Sequence, residues 1–401
     1  MAMTVASSRL ATNLLKSVIL AIFVTQSKQN KLCIELQMEG VQAPATSHLT
    51  NLKMETLQSC AKQCHSESEC VSVSYNEQTK DCILQTTLST DPAAIPVAMS
   101  GFEFFDLLSD QTLADILIMG GDKDAKSFEI YNTHNGSKNK LLSQSLTDAR
   151  QSFVSGLFDN GVAAFAGGQI AQAVTDRTEL VPLNGDQNLE GPPMSVARGI
   201  AAGAMLNNKL IVCGGTQERV THDSCESLSF DRASQTYTWT AIASMKEKRF
   251  GFIMSDLHGK VYAVSGRNLD SGELESAEQY DPETDSWSEI ANIPQATELA
   301  GSATLNGNLF VCSGRAEYAY QSKCYRYNPK KDAWSQVASM ISKKAGHTML
   351  AKDGKIYCFG GVNKGGILDA VEIYDPITDS WTMAGNTLQM KRDGFGALIL
   401  T

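Results

Sequence analysis

The stretch NLFVCSGRAEYAYQSKCYRYNPKKDAW, residues 308–334, decides the fold. Alone it holds two short β-forming runs, the small-residue doublet Ser313-Gly314, a polar loop and a closing tryptophan. The same pattern recurs as KIYCFGGVNKGGILDAVEIYDPITDSW, ending at Trp381, and as KVYAVSGRNLDSGELESAEQYDPETDSW, ending at Trp287. A looser copy ends at Trp239, so all four tryptophans occupy one repeat position, 48, 47 and 47 residues apart.

The doublet gives the full count. It stands at Gly120-Gly121, Gly167-Gly168, Gly214-Gly215, Ser265-Gly266, Ser313-Gly314 and Gly360-Gly361, with spacings of 47, 47, 51, 48 and 47. A fixed period in this range marks a propeller or a solenoid. Each unit carries the apolar alternation of strands, with Gly, Asn or Asp at its turns, and no amphipathic helix. The expectation is therefore a blade of four antiparallel strands, repeated six times.

These residues resemble the kelch repeat: a strand, the Gly-Gly doublet, a polar loop, a Tyr-Asp-Pro strand end, then Trp. Tyr280-Asp281-Pro282, Tyr327-Asn328-Pro329 and Tyr374-Asp375-Pro376 match well, and Phe230-Asp231-Arg232 is degenerate. The first two repeats keep only the glycines. The expected propeller covers residues 112–401. Its last segment, residues 394–400, matches the innermost strand of other repeats and has no doublet after it, while the first repeat lacks that strand, so this segment should close the ring.

Residues 1–27 read as a signal peptide, with Arg9 and Lys16 before the short apolar run 17–24 and small residues at Thr25 and Ser27. That run is too short for a membrane span. A lone sequon at Asn135 suits a polar loop and is a candidate glycosylation site. The formal charge of −10 argues against a nucleic-acid partner.

Cys33, Cys60, Cys64, Cys70 and Cys82 crowd the segment that follows, and no cysteine stands between residues 83 and 212. Residues 55–65 suit a helix, and 70–75 and 81–85 suit a hairpin. The run LQSCAKQCHSESECVSVSYNEQTKDCILQ, residues 57–85, is similar to the PAN/apple domain. That resemblance covers residues 31–108 and implies a small disulfide-rich α+β domain with bridges Cys60–Cys82 and Cys64–Cys70. Many apple domains add a bridge between their ends. Cys33 stands at one end, with no cysteine near residues 101–108 to meet it.

In the propeller, Cys213 and Cys225 are twelve residues apart, as are Cys312 and Cys324. The first of each pair precedes the doublet and the second opens the next strand, so opposed strands would bring them within disulfide range. Cys358 is one position out of register and reads as a buried free thiol.

Catalytic constellations are thin. Kelch-type copper oxidases need paired histidines and a Tyr–Cys crosslink, and sialidases repeat S-x-D-x-G-x-T-W boxes; neither pattern is present. The sequence reading is thus of no enzyme, no cofactor and no metal. A basic column stands out instead. Sixteen or seventeen residues before each doublet lie Arg150, Arg198, Arg249, Thr297 and Lys344, with Arg392 at the corresponding C-terminal position. Closed into a ring, these cations would meet at the channel mouth, where the kelch resemblance implies capture of an acidic ligand. The blade-five loop adds Arg315, Tyr318 and Tyr320 as interface candidates.

The expectation is a mainly β chain: a PAN/apple-like domain followed by a six-bladed kelch-like β-propeller. Its expected role is that of a secreted, non-enzymatic binding or adhesion protein for an extracellular protein or an anionic glycan. The alternative is a secreted kelch-type oxidase or glycan-processing enzyme.

Overall fold

The computed structural model describes residues 116–400, apart from 122–125, 134–138 and Asn184, together with the backbone of six strands before residue 88. Two compact units divide the chain at residues 100 and 101. In the first, Ser47–Lys53, Asp81–Thr87 and Cys70–Asn76 form an antiparallel sheet in that spatial order. Ala2–Val5, Leu20–Gln26 and Leu32–Met38 form another. The expected helix at 55–65, Asn135 and the side chains of Cys33, Cys60, Cys64, Cys70 and Cys82 lie outside the described residues.

Six four-stranded antiparallel sheets are found among the described residues of the second unit. Blade 3 shows the pattern: Ala202–Leu206 innermost, then Lys209–Cys213, Cys225–Asp231 and Thr236–Ile242. Blades 4, 5 and 6 begin at Ile253, Gly301 and Thr348, and blade 2 at Val154. Blade 1 is built from both ends of the unit. Its innermost strand is Gly396–Ile399, paired antiparallel with Ile116–Met119. This removes the free edge that an open first blade would present.

The repeat motif is a fastener between neighbouring blades. In blade 4, Tyr280 donates its hydroxyl proton to Asp285 Oδ1 at 2.8 Å, and the same oxygen accepts the backbone N–H of Ala243 in blade 3 at 2.9 Å. Trp287 Nε1 then donates to the Ala243 carbonyl at 2.9 Å. Blade 5 repeats this with Tyr327, Asp332, Trp334 and Ala291, and blade 6 with Tyr374, Asp379, Trp381 and Ala338. Burial pushes the three tyrosine hydroxyls up, reinforced by the aspartate each one meets. Blade 3 has Phe230 in place of the tyrosine, so no hydroxyl is available there. Its Trp239 reaches the Pro192 carbonyl and Thr178 Oγ1 instead.

The core lies between blades rather than within a single sheet. One cluster joins Ile211, Cys213 and Cys225 of blade 3 to Met254, Val261, Tyr280 and Trp287 of blade 4, and similar clusters recur around the ring. The doublets work at these joints. A Cβ on Gly214 would come 2.4 Å from the Arg249 carbonyl, and one on Gly266 2.5 Å from Phe252 Cβ, so strand and following loop meet only where the side chain is absent. The innermost strands enclose a channel of about 400 Å³, lined mostly by Gly, Ala, Ser and Thr.

Candidate functional site

Arg150, Arg198, Arg249, Lys344 and Arg392 do not line an open mouth. All five are 0–1 % exposed, held between strands, and each has a buried glutamate beside it. Arg198 donates to the carbonyls of Gly214 and Ser224, to Ser224 Oγ, and to Glu226 Oε1 at 3.2 Å. Arg249 repeats each contact on Ser265, Ser276 and Glu278, the last at 3.1 Å. Arg392 bonds the carbonyls of Gly120 and Ser127 and the Ser127 hydroxyl, with Glu129 3.8 Å from its Nε. Arg150 donates to the carbonyls of Phe165 and Arg177, with Glu179 the nearby opposite charge. Lys344 Nζ lies 3.1 Å from Glu372 Oε1 as an ion pair without hydrogen-bond geometry. The expectation of a ligand-binding basic ring is therefore corrected: neutralised cations buried in the joints have no free charge for an acidic ligand.

The glutamates have a second task. Glu179, Glu226, Glu278, Glu372 and Glu129 accept the backbone N–H of Thr147, Ser195, Lys246, Ile341 and Gln389. Each donor stands three residues before the cation of the same joint. Blade 5 departs at all three points together. Thr297 replaces the cation, Tyr325 replaces the glutamate, and Pro294, which has no N–H to satisfy, replaces the donor. Thr297 Oγ1 donates to the Ser313 carbonyl at 2.8 Å, one of the strand carbonyls the arginines serve elsewhere. Charge, counter-charge and backbone donor form one unit, present or absent as a whole. The glutamate column was readable, since it recurs about twelve residues after most doublets, but its meaning needed the strand register.

The other candidates lie on hairpins that follow the doublets. Arg267–Asn268 pairs with Gly272–Glu273 in blade 4, and Arg315–Ala316 with Ala319–Tyr320 in blade 5. Arg315 is half-buried and donates to Glu298 Oε1 at 2.8 Å, and Tyr320 is partly covered in its strand. Tyr318 is different. It is 74 % exposed, and it has φ 61° next to Glu317 at φ 49°. Two consecutive left-handed residues suit a tight hairpin turn, where Asn-Gly is the usual choice and a bulky tyrosine is strained. The Arg267 guanidinium lies 4.9 Å from the Tyr318 ring centroid, and Arg267 Nη2 donates to its hydroxyl at 2.7 Å. The Glu273 carboxylate accepts the Glu317 N–H at 2.8 Å, clasping the two hairpins.

Blade 3 joins the same surface, because the Leu269 N–H donates to Thr221 Oγ1 at 3.2 Å. Val220, Leu269 and Tyr318, all exposed, thus stand on three linked neighbouring hairpins. The chain also staples two of these hairpins at their bases. Disulfides join Cys213 to Cys225 and Cys312 to Cys324, with Cα atoms 4.2 and 4.0 Å apart, closing the loops that carry Val220 and Tyr318. Cys358 is free and buried, and burial pushes its thiol up to about 12, so it stays protonated. His347 is buried and accepts the Gly301 N–H at 3.1 Å; burial, with Lys344 adding, holds its pKa at about 3, which keeps it neutral.

Comparison with known proteins agrees with this architecture. The chain carries a PAN domain at residues 36–108 and three kelch motifs at 257–294, 297–341 and 343–387. Kelch-like protein 36 of Bos taurus is 28 % identical over 158 residues, covering 38 % of this chain and 25 % of that protein. An F-box/kelch-repeat protein of Arabidopsis thaliana is 29 % identical over 119 residues, covering 30 % of this chain and 28 % of its own length. The chain thus spans about a quarter of the length of these relatives. The solved structure of YjhT superposes with a TM-score of 0.58 at 13 % identity, covering 68 % of this chain and 95 % of that one.

One expectation falls with this likeness. The sequence reading excludes an enzyme, yet the propeller shared with YjhT is of a kelch type that includes enzymes. A fold hosts unrelated functions, so missing oxidase and sialidase signatures do not exclude catalysis.

Proposed function

We propose that this chain is a secreted protein-binding propeller that recognises an extracellular protein through the linked hairpins of blades 3–5. Kelch motifs and kelch-like relatives support a protein-binding role. The PAN domain and the two propeller disulfides are compatible with an oxidising extracellular setting. The same reading takes residues 1–27 as the leader and Asn135 as a glycan acceptor. The observation that carries the proposal is Tyr318, exposed at a hairpin tip in a strained backbone conformation and held there by Arg267. Strain of this kind costs stability, so its retention points to use. The partner is a protein with an apolar pocket for the tyrosine ring.

Tyr318→Gly tests it. Glycine relieves the left-handed backbone, so the fold is retained while the ring is lost. Against an array of extracellular proteins, wild-type chain should give a specific partner whose affinity falls roughly thirtyfold in the variant, the loss typical of a hot-spot tyrosine. A partner bound equally by both chains would place recognition elsewhere.

A further inference from the structure

One interval breaks the period of the repeat. The doublets of blades 3 and 4 stand 51 residues apart, against 47 or 48 elsewhere. The extra residues lengthen the outer hairpin of blade 3. Its strands Cys225–Asp231 and Thr236–Ile242 have seven residues each, where Ala277–Asp281 and Ser286–Ile290 of blade 4 have five. The inner ends are equivalent, with Cys225 opposite Ile242 and Ala277 opposite Ile290, so the added length lies on the turn side of the tryptophan. Pairing runs one residue past Trp287, to Ser286, but three past Trp239, to Thr236.

Thr236–Ile242 is the outermost strand of its sheet, and among the described residues nothing pairs with its outer side. Edges of this kind are normally kept from pairing by shortness or by charge. The other outer strands follow that rule. Leu189–Glu190, Ser380–Met383, Ala333–Val337 and Ser286–Ile290 have two, four, five and five residues, and Lys140–Ser145 opens on a lysine. Two residues before the tryptophan, blades 4 to 6 carry Asp285, Asp332 and Asp379. Blade 3 has Tyr237 there, and its strand TYTWTAI holds no charged residue. Thr236, Thr238 and Thr240 are exposed along it, and β-branched and aromatic residues favour extended pairing.

The order of residues says what fits this edge. Laid antiparallel on a copy of itself about Trp239, the strand sets Thr238 opposite Thr240 and the bulky Tyr237 opposite the small Ala241. Threonine pairs are favourable cross-strand neighbours. The same operation on blade 4 about Trp287 would set Asp285 against Glu289, a repulsive pair. With a formal charge of −10 on each copy, an uncharged contact is also where two chains repel each other least. We propose that two copies of this chain associate through blade 3, their Thr236–Ile242 strands pairing antiparallel about a two-fold axis at Trp239. This edge is separate from the hairpins that carry Val220 and Tyr318, and the proposal does not rest on them.

Sedimentation equilibrium of the full chain across a concentration series tests it. The mass should rise reversibly from that of one chain to that of two and no further, since a two-fold contact closes on itself. Thr238→Lys with Thr240→Lys sets lysine against lysine across the axis and should weaken the dimer at least tenfold. Thr238→Lys with Thr240→Glu sets lysine against glutamate twice and should return the affinity to near that of wild type. Both positions are exposed, so all three proteins should melt alike. Amide exchange of wild-type protein gives a reading that needs no variant: residues 236–242 should slow as concentration rises, while Ser286–Ile290 should not change. A mass of one chain throughout would overturn the proposal and leave the edge to a strand of another protein. So would a dimer indifferent to the lysine pair, or one that forms without slowing exchange at 236–242. A dimer lost equally in both variants would overturn the pairing about Trp239.

Discussion

Arg249 illustrates how a single position can mislead when read without its partners. In the sequence it is one of five cations in a column, and such a column on an acidic chain suggests a charged surface. In the structure its guanidinium serves two strand carbonyls, one serine and Glu278, all buried. Removing one member of such a group leaves the other charged and dry, which typically costs about 3–5 kcal/mol. Glu278→Ala should therefore lower unfolding free energy by about that amount, and the double variant with Arg249→Ala should cost clearly less than the sum of the single changes. Urea titration of the four proteins checks this. Additive losses would show that the two residues do not act together. Replacing Arg198 and Arg249 both by alanine, harmless if they were surface residues, should abolish folding.

At the scale of strands and hairpins, more was legible. Alternating apolar residues and turn-forming doublets fix strands locally, and the twelve-residue cysteine spacing needs only one antiparallel register to be interpretable. Tyr318 could be named as a candidate, but its exposure and its left-handed backbone depend on how blade 4 meets blade 5. The disulfides give this scale its test. Closing a loop of about a dozen residues contributes roughly 3 kcal/mol in the loop-entropy model. Replacing Cys312 and Cys324 by alanine should lower stability by a comparable amount and speed amide exchange at residues 315–320. Blade 4, whose hairpin has no bridge, should keep its exchange rates. Unchanged protection in blade 5 would mean that the bridge does not order its hairpin.

For the whole molecule, closure is the decisive feature. The pairing of Gly396–Ile399 with Ile116–Met119 completes blade 1, and Phe395 and Ala397 join the core cluster that also holds Ile116, Ile118 and Phe359. Deleting residues 394–400 should strip the inner edge from blade 1 and abolish the cooperative thermal transition, measured by circular dichroism. A melt like that of the full-length chain would show that the ring does not depend on this strand. The same seam sets an order of events during synthesis. Ile116 leaves the ribosome some 280 residues before its partner Ile399, an interval on the order of 15–55 s at ordinary elongation rates. Through that interval the nascent propeller is an open arc whose first blade exposes a bare strand edge, the kind of edge that recruits other chains. Blades 2 to 6 can form as they emerge, but the ring is sealed only once residues 396–399 have been made. The growing chain must therefore be shielded at that edge, and mutations that weaken blade 1 should appear first as lost yield rather than as lost binding by the molecules that mature.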